Sequence, residues 1–260
     1  MKTLRRSVGK ADIGGEPMPT VFRTFENNQI VLRRSEVSVI AGTPGAGKST
    51  LALALALRIQ MPTLYVSADT NAHTMAMRLY SMIEGVSQSD AEKIISDDPD
   101  KAREKLAMAS HIYWSFESAP SLGDLDDEVT ALEEILGDSP ALIVIDNLMD
   151  ISMDGGDEFG NMRAAMKELK FLARDTNAAV LVLHHTKESY AGNPCQPSQA
   201  LQGMVNQLPA LVLTVGQQDG LLGVAPVKNR YGRADRSGNT CYWLQFSPEY
   251  MFIADLEEAR

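Results

Sequence analysis

One stretch constrains this chain more than any other: Val39-Ile40-Ala41-Gly42-Thr43-Pro44-Gly45-Ala46-Gly47-Lys48-Ser49-Thr50. From Gly42 to Ser49 it fits G-x-x-x-x-G-K-[ST]. A β-branched run, Val37 to Ile40, leads in, and an apolar helix-forming run, Leu51 to Leu57, leads out. Strand, glycine-rich loop and helix are the setting in which this pattern cradles phosphate. The glycines let the backbone curl and aim its N–H groups at phosphate oxygens, and the helix adds its positive N-terminal end. Gly42, Thr43, Pro44, Gly45, Ala46, Gly47, Lys48, Ser49 and Thr50 therefore form the expected nucleotide-binding loop. Lys48 is expected to reach the β- and γ-phosphates, and Ser49 to hold Mg²⁺ through its hydroxyl. The motif points to nucleotide binding and says little about what the energy is used for.

A second signature lies downstream. Ala141 to Ile145 is a continuous apolar run, suited to a central parallel strand, and it ends at Asp146-Asn147. Asp146 is expected opposite Ser49, on the Mg²⁺ water shell. Between the two signatures, Thr63-Leu64-Tyr65-Val66-Ser67 reads as a buried strand ending at Ala68-Asp69-Thr70-Asn71. Chemistry in α/β sheets gathers at the carboxyl ends of strands. Asp69 thus has two readings: general base for a water, or cap of the helix starting near Ala72, a task Asn71 can perform by itself. A further buried strand, Ala178 to Leu183, ends in His184-His185-Thr186-Lys187. Adjacent strand side chains point to opposite faces, so the two histidines are poor joint ligands for one metal. His185 reads either as a sensor of the γ-phosphate or water, or as a packed polar histidine.

Helical patterns cover residues 72–85, 87–96, 99–109, 121–136 and 161–175. Their alternation with apolar runs predicts an α/β fold: a central, mostly parallel sheet flanked by helices. Strands at 210–216, 221–228, 240–246 and about 250–254 close the chain, the first two joined as an antiparallel hairpin by Gln217-Gln218-Asp219-Gly220. Val21 to Leu32 is expected to include an edge strand. Residues 149–160 and 188–197 read as loops, mobile or facing a ligand. Residues 1–20, with Lys2, Arg5, Arg6 and Lys10 followed by glycines and prolines, read as a flexible N-terminal arm: disordered, strapped to a neighbour, or a plain tail. Residues 21–260 make one domain.

Composition narrows the classes. With 44% hydrophobic residues the chain can bury a real core. A net charge of -10 argues against general electrostatic binding of nucleic acid by a monomer surface, while leaving room for a local basic groove. The two cysteines, Cys195 and Cys241, suggest neither a disulfide framework nor a zinc site. No run of about 18 apolar residues and no signal peptide is found, so a soluble cytoplasmic protein of a reducing compartment, away from membranes, is expected.

Assembled, these motifs resemble the RecA-like P-loop ATPase superfamily, in the branch of hexameric replicative (DnaB-like) helicase cores and plasmid RepA-like ATPases. The resemblance covers roughly residues 20 to 254. Tyr65-Val66-Ser67-Ala68-Asp69 resembles the strand carrying the family's catalytic glutamate, one methylene longer than Asp69. His184-His185-Thr186-Lys187 resembles the strand end of the RepA-like group, and Ala200-Leu201-Gln202-Gly203 lies where the family has a channel loop. Lys228-Asn229-Arg230 resembles the Lys-x-Arg element that reaches the γ-phosphate of the adjacent subunit. The resemblance implies ATP and Mg²⁺ as cofactors. It implies catalytic roles for Lys48, Asp69, His185, Lys228 and Arg230, and self-association into a ring hexamer or other oligomer with shared ATP sites. Single-stranded DNA is the implied substrate, with a helicase-type motor in replication or recombination as the leading function. A regulatory switch or loader acting on a protein partner, and a filament-forming recombination ATPase, are the alternatives. Small stand-alone proteins of this kind also resemble phage and mobile-element products, which implies a bacterial host cytoplasm.

Overall fold

The computed structural model describes residues 15–153 and 157–256. Within them the apolar runs become one nine-stranded sheet. Its strands are β1 (Val37–Gly42), β2 (Thr63–Ser67), β3 (Ile112–Ser115), β4 (Leu142–Asp146), β5 (Ala179–His185), β6 (Leu211–Gln218), β7 (Leu221–Asn229), β8 (Tyr242–Ser247) and β9 (Phe252–Asp255). Their spatial order is β3-β2-β4-β5-β1-β6-β7-β8-β9. From β3 to β6 every neighbour is parallel, and β7, β8 and β9 add antiparallel strands at the far edge. The helices are α1 (Arg23–Asn27), α2 (Lys48–Ile59), α3 (Ala72–Glu84), α4 (Gln88–Asp97), α5 (Pro99–Leu106), α6 (Leu122–Leu136) and α7 (Glu158–Asp175).

Strand alternation sends side chains to two cores. On β1, Ile40 joins a core with Leu51, Leu53, Tyr65 and Leu222. Val37, Val39 and Ala41 join the other, with Leu125, Val129 and Leu169 of α6 and α7. Helix α2 is apolar nearly all round because it is enclosed: Leu51 through Ala56 are all buried, and it touches β1, β4, β5 and β9. This burial fixes the helix whose first turn carries Lys48 and Ser49. Register then aligns the strand ends. Gly42 pairs with His185 and Ser67 with Asp146, so the loops that follow β1, β2, β4 and β5 leave from one edge of the sheet. The expected hairpin is a two-residue turn, Asp219 and Gly220 at φ 50° and 75°, a conformation suited to right-twisted strands.

Several expectations are corrected. Val21 to Leu32 contains no edge strand; it holds helix α1 instead, with Phe22 and Phe25 buried and their rings 5.2 Å apart. The helix forms because Asp255, on the last strand, accepts from the N–H groups of Arg23 (2.9 Å) and Thr24 (2.8 Å). Cys195 and Cys241, which suggested neither a disulfide framework nor a zinc site, are joined in a disulfide. Folding brings them together by laying residues 193–194 across Gly216 and Gly223, where an added Cβ would meet Asn193 O at 2.5 Å and Pro194 O at 2.7 Å. The 188–197 segment is therefore anchored rather than loose: Gln196 is buried, and Thr214 Oγ1 donates to its carbonyl at 2.6 Å. Much of 149–160 is also regular, with a 3₁₀ turn at Leu148–Asp150, a buried Ile151, and α7 starting at Glu158; residues 154–156 lie outside the described residues. Of the 1–20 arm, residues 1–14 are likewise outside. Gly15 and Met18 donate to Arg34 O (2.7 Å) and Leu32 O (2.8 Å), and Met18 is buried, so packing begins before residue 21. Among the described residues no helix is long and apolar enough to cross a membrane.

Candidate active site

The phosphate-binding loop is shaped by close approach. Gly42 lies against β6, where a Cβ would meet Val215 O at 2.7 Å. Gly47 sits at φ 95° just before α2, and a Cβ there would press on Leu222 and Phe246 at 3.0 Å. Lys48 is buried, and its Nζ donates to Gly42 O and Thr43 O, each at 3.0 Å. Burial lowers its pKa, while the nearby carboxylates of Asp146 and Asp69 act in the opposite direction. The loop borders a cleft of about 330 Å³, a size suited to a small-molecule ligand. Lys48, Ser49, Asp69, Asp146 and His185 all line this cleft. Residues taken from four separate strand ends thus converge on one side of the loop.

Asp146 is the most constrained of them. It is 4% exposed, and the Tyr65 hydroxyl donates to its Oδ2 at 3.2 Å. Burial pushes its carboxyl up to about 6; hydrogen bonding by the Ser49 and Tyr65 hydroxyls and the Lys48 charge only partly offset this. A buried carboxylate beside a serine hydroxyl, both facing a phosphate-binding loop, is an oxygen-donor set that suits Mg²⁺. Asp69 is exposed and lies at the mouth of the cleft, with Thr70 Oγ1 donating to its Oδ1 at 2.8 Å. The cap of α3 is Asn71, which accepts from Thr74 N at 2.9 Å, so Asp69 does not spend its carboxylate there. The two histidines part as strand geometry requires. His185 is half-buried at the cleft, its pKa lowered by burial and by Lys48, with Asp150 and Asp69 opposing. His184 is fully buried, donates from Nε2 to Gln202 O at 3.0 Å, and is pushed down to about 4 by burial, so it is neutral at pH 7. Among the described residues no cluster of histidine, cysteine and carboxylate side chains has metal-site geometry.

Lys228 and Arg230 are elsewhere. Lys228 pairs with Val212, and Val212 with Val39, three residues before Gly42 and therefore about 10 Å down the strand. Arg230 N donates to Ala210 O, one step further from the loop. Both leave the sheet at the edge opposite this chain's own cleft. Lys228 Nζ donates to Asn206 O (2.9 Å) and Gln207 O (2.7 Å), and its pKa is lowered by burial and by the like charges of Arg230 and Lys170. Arg230 forms an ion pair with Glu36 at 2.6 Å.

The structure adds lining residues that motif reading missed: Arg78, Gln88, Phe246, Pro248 and Met251. Arg78 left a sequence signal, an arginine three residues after buried Met75 on the apolar stripe of α3. Phe246, Pro248 and Met251 left none, since β8 and β9 reach the loop by long-range pairing.

A phosphate-binding loop between β1 and α2, an acid ending β4 and this strand order define a P-loop ATPase of RecA/DnaB-like fold, an ATP-hydrolysing enzyme. The family model described as an AAA domain matches residues 26–190, and the chain belongs to that family. It is 32% identical over 266 residues to the Gene 65 protein of Mycobacterium phage L5, covering 98% of this chain and 99% of that one. A DnaB-like replicative helicase, whose structure addresses its interactions with primase, superposes with a TM-score of 0.79 at 16% identity, covering 98% of this chain and 65% of that one. The RadB recombinase superposes with a TM-score of 0.62, also at 16% identity, covering 92% of this chain and 100% of that one.

Proposed function

We propose that this ATPase is an oligomeric motor on single-stranded DNA in replication or recombination, working in a bacterial host cytoplasm and hydrolysing ATP at sites shared between subunits. The observation that carries this reading is the division of the cationic groups. Lys48 serves the chain's own cleft, whereas Lys228 and Arg230 emerge at the opposite edge of the sheet. Placed against a neighbour, they would supply charge to its nucleotide. The replicative helicase and the recombinase that share the fold support a DNA substrate.

In this reading the loop N–H groups and Lys48 hold the phosphates in line for attack by water. Ser49 and Asp146 would hold Mg²⁺, which would supply positive charge to offset that of the phosphates. Asp69 orients or deprotonates the water, and its position at the cleft mouth gives it solvent access. His185 faces the same space and continues into Thr186 and Lys187. Thr186 pairs with Leu201, and Lys187 N donates to Ala200 O at 2.9 Å, which ties the residues after His185 to the start of the 200–207 segment. Transition-state charge is then stabilised from both subunits.

The test mixes two inactive variants. Lys48→Ala retains Arg230, and Arg230→Ala retains Lys48, so mixed oligomers regain turnover at interfaces that pair the intact halves. Single-stranded DNA raises that turnover, with a shallow salt dependence because few cations are available. Restored ATPase without DNA binding or stimulation at low salt would reject the DNA motor and favour a switch acting on a protein partner. Absence of restoration would reject the shared site.

A further inference from the structure

We propose that Glu36 is a positioning residue for Arg230, holding the guanidinium ready for the neighbouring subunit's nucleotide; this rests on the shared-site reading above. Glu36 immediately precedes β1 and is 9% exposed, a costly place for a carboxylate unless it is well paired. Its Oε1 accepts from Arg230 at 2.6 Å and from the Tyr231 hydroxyl at 2.8 Å, while its buried Oε2 has no hydrogen-bond partner among the described residues. Two consecutive side chains at the end of β7 are thereby gathered onto one oxygen.

The surroundings separate backbone anchoring from side-chain aiming. The junction after β7 is already fixed without Glu36. Arg230 N donates to Ala210 O at 2.8 Å, Tyr231 N to Asn229 Oδ1 at 3.1 Å, and Asn229 Nδ2 to Gln29 O at 2.9 Å. The Arg33 guanidinium lies over the Tyr231 ring, 4.3 Å from its centroid. What Glu36 adds is the direction of the Arg230 side chain. That side chain is 40% exposed, against 11% for Glu36, so the pair has a buried end and an open end. Guanidinium offers five N–H donors in a planar fork, and one is spent on Glu36. The others remain for a phosphate, on a side chain ordered before that phosphate arrives. Preorganised charge of this kind stabilises a transition state without reorganisation at the moment of reaction. Strand β1 also joins the two half-sites physically, with Glu36 before its first residue and the phosphate-binding loop after its last.

A positioning role and a merely structural one differ in which subunit feels the loss, and the mixed oligomer reads that difference. In a mixture of Lys48→Ala and Arg230→Ala subunits, the first donates Arg230 and the second donates the loop. Adding Glu36→Ala to the Lys48→Ala subunit lowers the restored turnover about tenfold or more at saturating ATP, because misdirected charge is lost from the transition state. Adding it to the Arg230→Ala subunit leaves the restored turnover within about twofold and the affinity for an ATP analogue unchanged, which also shows that the substitution folds. Glu36→Gln in the Lys48→Ala subunit, keeping a carbonyl acceptor, gives an intermediate loss. Equal losses in both placements, or none when Glu36→Ala is on the Arg230 donor, would overturn the proposal while the shared site stands. A parent mixture with no restored activity would overturn both.

Discussion

Replacing Asp146 with Asn should stabilise the protein in the absence of nucleotide and Mg²⁺ while removing its function. Asp146 is 4% exposed, and burial raises its carboxyl from 3.8 to about 6. A folded-state value above the unfolded one means that folding favours the protonated form. The stability this group contributes is fully present below pH 3.8 and is lost as pH rises through 6. Above pH 7 the fold carries a buried carboxylate at a penalty of about 3 kcal/mol, an order-of-magnitude figure from the size of the rise. Asn is neutral throughout and still offers an oxygen to the Tyr65 hydroxyl, which donates at 3.2 Å. Denaturant unfolding from pH 4 to 8 should therefore show Asp146→Asn gaining little near pH 4 and up to about 3 kcal/mol by pH 8. With Mg²⁺ and a non-hydrolysable ATP analogue the ranking should narrow or reverse, because wild type gains more from the ligand. A variant less stable than wild type at pH 8 without ligand, or a difference independent of pH, would show that the Asp146 carboxylate carries no such burial penalty.

Other substitutions test separate parts of the structure. Asp69→Asn should bind nucleotide normally and lose about 10²–10⁴-fold in kcat, measured by steady-state phosphate release; near wild-type turnover would remove Asp69 from the chemistry. Asp255→Ala should cost about 1 kcal/mol in denaturant unfolding, since it strips the N-terminus of α1 of its acceptor; an unchanged midpoint would show that water replaces that carboxylate fully. Tyr65→Phe should raise the Asp146 pKa further and weaken Mg²⁺-dependent nucleotide binding, read by titration with a fluorescent ATP analogue at pH 6 and pH 8, with the larger loss at pH 6.

The parts of this molecule that could be read from sequence are those governed by near neighbours. The continuous apolar run Leu142 to Ile145 became a strand buried on both faces, the Asp219-Gly220 turn became a hairpin, and Asn71 became the cap of α3. The loop from Gly42 to Thr50 was legible because its strand, glycines and helix are contiguous. What escaped depends on distant chain. Helix α1 takes its cap from a carboxylate 232 residues away, and without it the apolar run around Phe22 and Phe25 reads equally well as a strand. The Cys195–Cys241 bond spans 46 residues and follows from two glycines on neighbouring strands admitting a crossing segment. The cleft wall from β8 and β9 arises only after antiparallel pairing brings Met251 to Thr50, where the hydroxyl meets its sulfur at 3.7 Å. Glu36 gave no local sign of its role, because its partners lie 194 and 195 residues downstream.

The proposed shared site makes one chain only half of a working ATP site. Its most direct test is the specific ATPase activity of the wild-type protein across a range of concentrations, with the oligomer distribution measured by mass in the same samples. Activity per subunit should be near background where the protein is monomeric and should rise in step with the oligomeric fraction. Full activity in a strictly monomeric sample would show that a single chain carries the whole site.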